Sequence, residues 1–210
     1  MAKTRIYLDV DGVLNAIPAA SDIVTRTGWP RFERVQVNGY WITFAPELLR
    51  ALEAIHDWTH WSLDGDEEED SVEIVWLTTW REKATADLAP AIDFNAKHWR
   101  VVSDGDSAHG YVKLGFSDYS YWWKVDALAT DLIENPVDYV VWLDDDQVAY
   151  NDSVTSIIKK FNDTQFLTIA PHTTVGLTRD HIDLIRQFVR RAQDDDGWSR
   201  FTEDDEEDEF

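Results

Sequence analysis

The chain has 210 residues, with 41 acidic and 19 basic side chains and no cysteine. That length suits one domain with a small insertion, and the missing thiols exclude disulfides, thiolate catalysis and cysteine-held metals. The formal net charge of −22 disfavours a long polyanion as partner unless a basic patch is well focused.

The opening MAKTRIYLDV runs straight into a strand pattern, without the apolar segment of a secretion signal. No apolar run nears the ~20 residues that span a bilayer, so no membrane partner is expected and the protein is placed in the cytoplasm. The first strand pattern, Arg5–Val10, is nearly continuous in apolar residues, as expected of a strand covered on both faces. It ends in Asp9-Val10-Asp11-Gly12-Val13-Leu14-Asn15, with two carboxylates placed to share one site and a glycine that lets the backbone turn sharply. Residues 15–44 then break the rhythm. Asn38-Gly39, between Val35-Gln36-Val37 and Trp41-Ile42-Thr43, is a strong hairpin signal. A small β-flap over the edge of a sheet is expected here. Tyr40, Ile42 and Phe44 would face one way, Trp41 and Thr43 the other. Trp29, Phe32, Tyr40, Trp41 and Phe44 either form a mini-core or stack on a base or an apolar leaving group. Arg26, Arg31 and Arg34 either meet phosphates or balance an acidic surface.

Pro46 opens a helix pattern with Leu48, Leu49, Leu52 and Ile55 at helical spacing. An acidic loop, DGDEEED at 64–70, precedes the second strand pattern, Glu73–Leu77, which ends in Thr78 and Thr79. A third strand pattern spans Trp99–Ser103. Lys124 opens a helix with Val125, Leu128, Leu132 and Ile133 on its stripe. The fourth strand pattern, Tyr139–Leu143, runs into Asp144, Asp145 and Asp146. Three adjacent carboxylates repel one another unless a cation neutralises them. A helix with Val154, Ile157, Ile158 and Phe161 follows, then the fifth strand pattern, Gln165–Ile169. Thr178 caps a last helix carrying Ile182, Ile185 and Val189. Residues 194–210 hold ten acids and one arginine, so a disordered acidic tail is expected after a domain of residues 1–193. The six histidines show no spacing that demands a metal.

Strands alternating with helices imply βαβ units and a mostly parallel sheet, whose ligands sit beyond the C-terminal strand ends. The acids and threonines fall at those ends. A strand followed by DxDG, a strand ending in Thr, a lysine at a helix start and a strand ending in DD, in that order, resemble the haloacid dehalogenase (HAD) superfamily. WLTTW, WLDDD and GLTRDH resemble a poorly characterised actinobacterial and phage branch, related to HAD domains of RNA-repair proteins.

The resemblance implies a Rossmann-like α/β fold with a five-stranded, mostly parallel sheet between helices and the hairpin as a small cap. It implies a phosphomonoesterase that works through an aspartyl-phosphate. Asp9 would be the nucleophile and Asp11 the acid/base, with Thr78 and Lys124 stabilising the phosphoryl group. Thr79 is the reserve for Thr78, and Lys113 the competitor of Lys124. Mg2+ would be held by Asp9, the Asp11 carbonyl and Asp144 or Asp145. Thr79, Trp41 and Arg34 would meet the substrate, a nucleotide or other small phosphorylated metabolite. The hairpin is expected to set substrate choice and to contribute little to the chemical step. Two alternatives stand beside this reading. One is a polynucleotide end-processing phosphatase, which the net charge disfavours. The other is a non-catalytic HAD-fold module whose acidic tail engages a basic partner.

Overall fold

A computed structural model describes residues 3–57, 72–103 and 122–203, with residues 194–203 described by backbone alone. Four of the five apolar runs form strands: β1 (Thr4–Leu8), β4 (Val72–Trp76), β5 (Tyr139–Leu143) and β6 (Gln165–Ile169). They make one all-parallel sheet in the order β4-β1-β5-β6. β1 and β5 are central and buried along their whole length, which is why their sequences are apolar without alternation.

The third expected strand, Trp99–Ser103, does not form. Of Trp99–Ser103, only Val101 pairs, in a single parallel bridge to Trp76, with Arg100 O and Val102 N each 2.8 Å from the Trp76 backbone. The sheet therefore has four strands among the described residues, not five. Trp99 instead packs in an aromatic group with Trp76, Phe94 and His56, which takes the run out of a sheet ladder.

The sheet is covered on both faces. On one face Ile6, Leu8 and Val10 meet α2 (Pro46–Asp57), through Leu48, Leu49, Leu52 and Ile55, and α6 (Arg179–Glu203), through Ile182, Ile185 and Val189. On the other face Tyr7, Val75, Val140 and Trp142 meet α4 (Trp123–Glu134) and α5 (Asn151–Lys160). Each fully buried aliphatic side chain contributes roughly 1.5–3 kcal/mol. A π-helical turn at Ala84–Leu88 leads into the short α3 (Ala89–Ala91).

The insertion holds a one-turn helix α1 (Ile23–Thr27) and the expected hairpin of β2 (Glu33–Val37) and β3 (Tyr40–Phe44). Asn38 and Gly39 both have positive φ, 50° and 86°, the conformation that a two-residue type I′ turn requires. Val37, Ile42 and Phe44 are buried in the main core and Trp41 is 54% exposed, as the alternation implies. Tyr40 departs from it: at the strand start it is 68% exposed, its ring 5.9 Å from that of Trp80.

Thr178 caps α6 as the sequence implies, accepting from the His181 N–H at 3.2 Å, while His181 Nδ1 accepts from the Thr178 N–H. The helix runs on to Glu203, so the backbone of 194–203 is helical where the sequence reading has a disordered tail. Extending an existing helix avoids a new nucleation cost. The acidic loop at 64–70 and residues 204–210 lie outside the described residues. No described helix is long and apolar enough to cross a membrane.

Candidate active site

Parallel pairing aligns the C-terminal ends of β1, β4 and β5, because Leu8 is in register with both Trp76 and Leu143. The residues that follow each strand therefore converge. The Asp9 N–H donates to Leu143 O at 3.0 Å, and the Leu77 N–H to Leu8 O at 2.9 Å, extending the ladders by one step. Beyond that step the chain folds back. The N–H groups of Leu14 and Asn15 both donate to Val10 O at 2.9 Å, closing a tight loop around Gly12. Gly12 has φ +72°, and a Cβ there would lie 2.1 Å from the Asp145 Oδ2. Glycine is thus required both by the backbone and by the carboxylate resting on it.

Asp9 is buried. Its Oδ1 accepts from the Val10 N–H at 2.7 Å, and its carboxylate also accepts from the Thr78 hydroxyl. Lys124, at the start of α4 and 2% exposed, reaches across the sheet edge. Its Nζ donates to Asp9 Oδ2 at 2.5 Å and to Asp144 Oδ2 at 2.7 Å. Asp144 is fully buried, with its N–H on Ile169 O and its Oδ1 accepting from the Asp146 N–H at 3.1 Å. Asp145 is half-buried and accepts from the Thr173 hydroxyl at 2.6 Å.

Oxygens of Asp9, Asp144 and Asp145 all lie within 4.8 Å of one another, close enough to hold one cation. The donor set is entirely carboxylate oxygen, the chemistry that Mg2+ prefers and softer metals do not. The electrostatics agree. Burial pushes the Asp9 carboxyl above its usual range, although Lys124, Thr78 and the Val10 N–H pull it down. Burial and the Asp9 charge push Asp144 up to about 8, with Lys124 opposing. Burial raises Asp145 as well. Burial alone would lower Lys124, but Asp9 and Asp144 hold it above its ordinary value. One ammonium faces three carboxylates, so a further positive charge is what this cluster lacks.

The rim is organised differently. Asp11 is half-buried, and its two oxygens accept from two different donors: Asn15 Nδ2 at 2.8 Å and Trp80 Nε1 at 3.0 Å. Asn15 also accepts from the Thr43 N–H of β3 at 2.8 Å. Trp41 is exposed beside Arg34, whose guanidinium lies 4.4 Å from the indole centroid.

Of the residues singled out from sequence, Asp9, Thr78, Lys124, Asp144 and Asp145 come together at one buried point, with Asp11 at its edge. Thr79 and Asp146 are exposed and stay outside the buried cluster. Lys113 lies outside the described residues. Of the aromatics of the insertion, Trp29 and Phe44 join the main core, with Trp29 Nε1 donating to Leu177 O at 2.7 Å. Arg31 pairs with Glu33 and Glu47. Asn15, Trp80 and Thr173 do not stand out in the sequence. The one available signal is position: Asn15 closes the DVDGVLN loop, and Trp80 ends WLTTW two residues after Thr78.

The family model described as "HAD domain in Swiss Army Knife RNA repair proteins" matches residues 5–182. No curated protein and no solved structure matches the chain.

Proposed function

The chain belongs to this family of HAD domains related to RNA repair, and on that premise we propose that it is a magnesium-dependent phosphomonoesterase acting through a phosphorylated Asp9. The observation that carries this reading is the Lys124 ammonium between Asp9 and Asp144, with the Thr78 hydroxyl on Asp9. A nucleophile, a fixed positive charge and a hydroxyl donor thus meet at one buried strand edge.

Asp9 attacks phosphorus in line, forming the Asp9 O–P bond as the bond to the leaving oxygen breaks. Asp11, at the rim, gives that oxygen a proton. In the second half-reaction Asp11 takes a proton from water, the water oxygen bonds to phosphorus, and the Asp9 O–P bond breaks to release phosphate. Lys124 and Thr78 place donors where charge develops on the transferring group. Asp9, Asp144 and Asp145, with the Asp11 carbonyl implied by the family resemblance, would hold Mg2+, which supplies charge neutralisation for the phosphoryl oxygens.

The test is hydrolysis of a generic aryl phosphate with and without Mg2+, in the wild type and in Asp9→Asn. The substitution is nearly isosteric and should cost orders of magnitude in turnover with little loss of fold. Activity within about threefold of wild type would sink the mechanism.

The substrate is either a small phosphorylated metabolite such as a nucleotide, or the phosphorylated end of a nucleic acid. The second is supported by the family description and by the exposed Trp41 with Arg34 stacked on it, a surface suited to a base and its phosphate. A panel of mononucleotides against 3′- and 5′-phosphorylated oligonucleotides, repeated with Trp41→Ala, separates the two. An oligonucleotide enzyme would favour the longer substrates and lose that preference in the variant.

A further inference from the structure

Four carboxylates surround the proposed reaction centre, and three of them are held by Lys124, by backbone N–H groups or by a threonine. Asp11 is held by neither cation nor backbone. Its Oδ1 accepts from the Asn15 amide and its Oδ2 from the Trp80 indole. Two N–H donors, one on each oxygen, fix the plane of a carboxylate and leave each oxygen one lone pair toward the opening. Both donors are themselves held by the insertion. Asn15 is 2% exposed, and its side-chain oxygen accepts from the Thr43 N–H of β3. The next residue, Ala16, donates its N–H to Thr43 O at 3.2 Å, so the Asn15 backbone is tied to β3 as well, and turning the amide gives up its bond to the Thr43 N–H. Trp80 carries Tyr40, also of β3, against its ring, and its backbone N–H donates to the Thr78 Oγ1 at 3.3 Å.

We propose that Trp80 and Asn15 are positioning residues for Asp11, and that through them the hairpin sets the geometry of proton transfer to the leaving group. The inference rests on the reading of Asp11 as the acid. It replaces the expectation that the hairpin contributes little to the chemical step. Two side chains that contact β3 thus end on one carboxylate, one of them, Trp80, 69 residues from Asp11 in the chain. Tyr40, on the Trp80 arm, is 68% exposed, so that arm is reached from solvent.

The experiment compares kcat/KM, which reports phosphoryl transfer to Asp9 without the later hydrolysis, across phosphate monoesters of graded leaving-group pKa, from 4-nitrophenyl to alkyl. Poor leaving groups need the proton most. Misplacing an acid by about 1 Å can cost on the order of 100-fold. In Trp80→Phe, which keeps a ring and deletes the N–H, the loss should rise with leaving-group pKa to about tenfold or more on the alkyl ester. Asn15→Ala should steepen the dependence in the same sense. It also serves as the test if Trp80→Phe melts below the assay temperature. A merely structural role would lower all substrates by one factor, and that uniform loss, or none, overturns the proposal. Asp11→Asn is the reference. If it shows no dependence on leaving group, the acid reading fails. If it does and the two variants do not, only the positioning inference fails.

Discussion

Two ionic clusters sit at opposite ends of the same two elements. At the start of β1, Arg5 meets Glu73 at 2.5 Å and Asp131 at 3.1 Å, and Arg100 meets the same two acids at 3.0 and 2.5 Å. The Tyr7 hydroxyl donates to Asp131 at 2.8 Å, and the Asn135 carbonyl accepts from Arg5 at 2.7 Å. Two guanidiniums face two carboxylates, and every charged group has hydrogen-bond partners. Just past the other end of β1, one ammonium faces Asp9, Asp144 and Asp145, and the acids are pushed up in pKa. Both clusters contain buried charges, Arg5 and Asp131 in the first and Asp9, Lys124 and Asp144 in the second, so burial of charge alone does not distinguish a structural ion network from the proposed reactive one. Charge balance does: the first cluster is balanced as it stands, whereas the second leaves an excess of negative charge, which the proposed cation would offset.

The sharpest test removes the positive centre of each side in turn. Lys124→Ala leaves two buried carboxylates without their shared ammonium, a loss that typically costs about 3–5 kcal/mol. We expect turnover to fall by orders of magnitude, and the loss of stability in urea to be largely reversed by millimolar Mg2+. A variant that Mg2+ does not restabilise would mean that the carboxylates are not a cation site. Asp131→Ala strips Arg5, Arg100 and Tyr7 of a common acceptor and should destabilise by about 3–5 kcal/mol as well. Here Mg2+ should restore nothing, and turnover per folded molecule should persist. Equal rescue of both variants would erase the distinction.

Proton competition offers a finer contrast. Asp144 lies near 8, raised by burial and by Asp9, so below that pH a cation must displace a proton. The melting shift produced by a fixed Mg2+ concentration should therefore grow as pH rises from about 6 to about 9. A saturating site at 100 times its Kd adds about 2.7 kcal/mol. A flat profile by scanning fluorimetry would place the metal away from Asp144. In the balanced cluster the sign is opposite in origin. Burial would raise Glu73, but Arg100 and Arg5 outweigh it and hold the carboxyl below its ordinary value of 4.5. A depressed carboxylate stabilises the fold above that ordinary value and loses its contribution as pH falls through the folded value. Glu73→Gln should remove that acid-side slope without changing the profile near pH 8. Because Glu73 is partly exposed, the effect should be under about 1 kcal/mol. An unaltered slope in acid would assign the pH dependence to other carboxylates.

The reactive cluster was largely legible in sequence because each member sits at a strand end or a helix start, and periodicity locates those ends. Asp9, Thr78, Asp144 and Asp145 follow apolar runs that the sheet buries, and Lys124 begins an amphipathic stripe. Lys124 was singled out through the family resemblance alone, since proximity to Asp9 across 115 residues leaves no local trace in the chain. The balanced cluster was invisible for the same reason. Arg5, Glu73, Arg100 and Asp131 look like ordinary surface charges in the chain, and only the parallel register brings them together. Trp80 and Asn15 close the WLTTW and DVDGVLN motifs but were passed over because an indole reads as core and an amide as turn. The run Trp99–Ser103 misled because its bulky residues serve an aromatic cluster, with one ladder bridge where a strand was expected.

Helix α4 joins the two clusters in a way that bears on how the protein fails. Lys124 and Asp131 are seven residues apart, two turns along one helix face, so a single rigid element carries the ammonium to one cluster and the carboxylate to the other. Sliding or fraying that releases one releases the other. The site therefore has no private melting step. As denaturant rises, inactivation should coincide with the loss of the whole fold, with no earlier transition of its own, as in a single cooperative unit. Enzymes whose reactive groups sit on independently mobile loops behave otherwise, losing function while still compact.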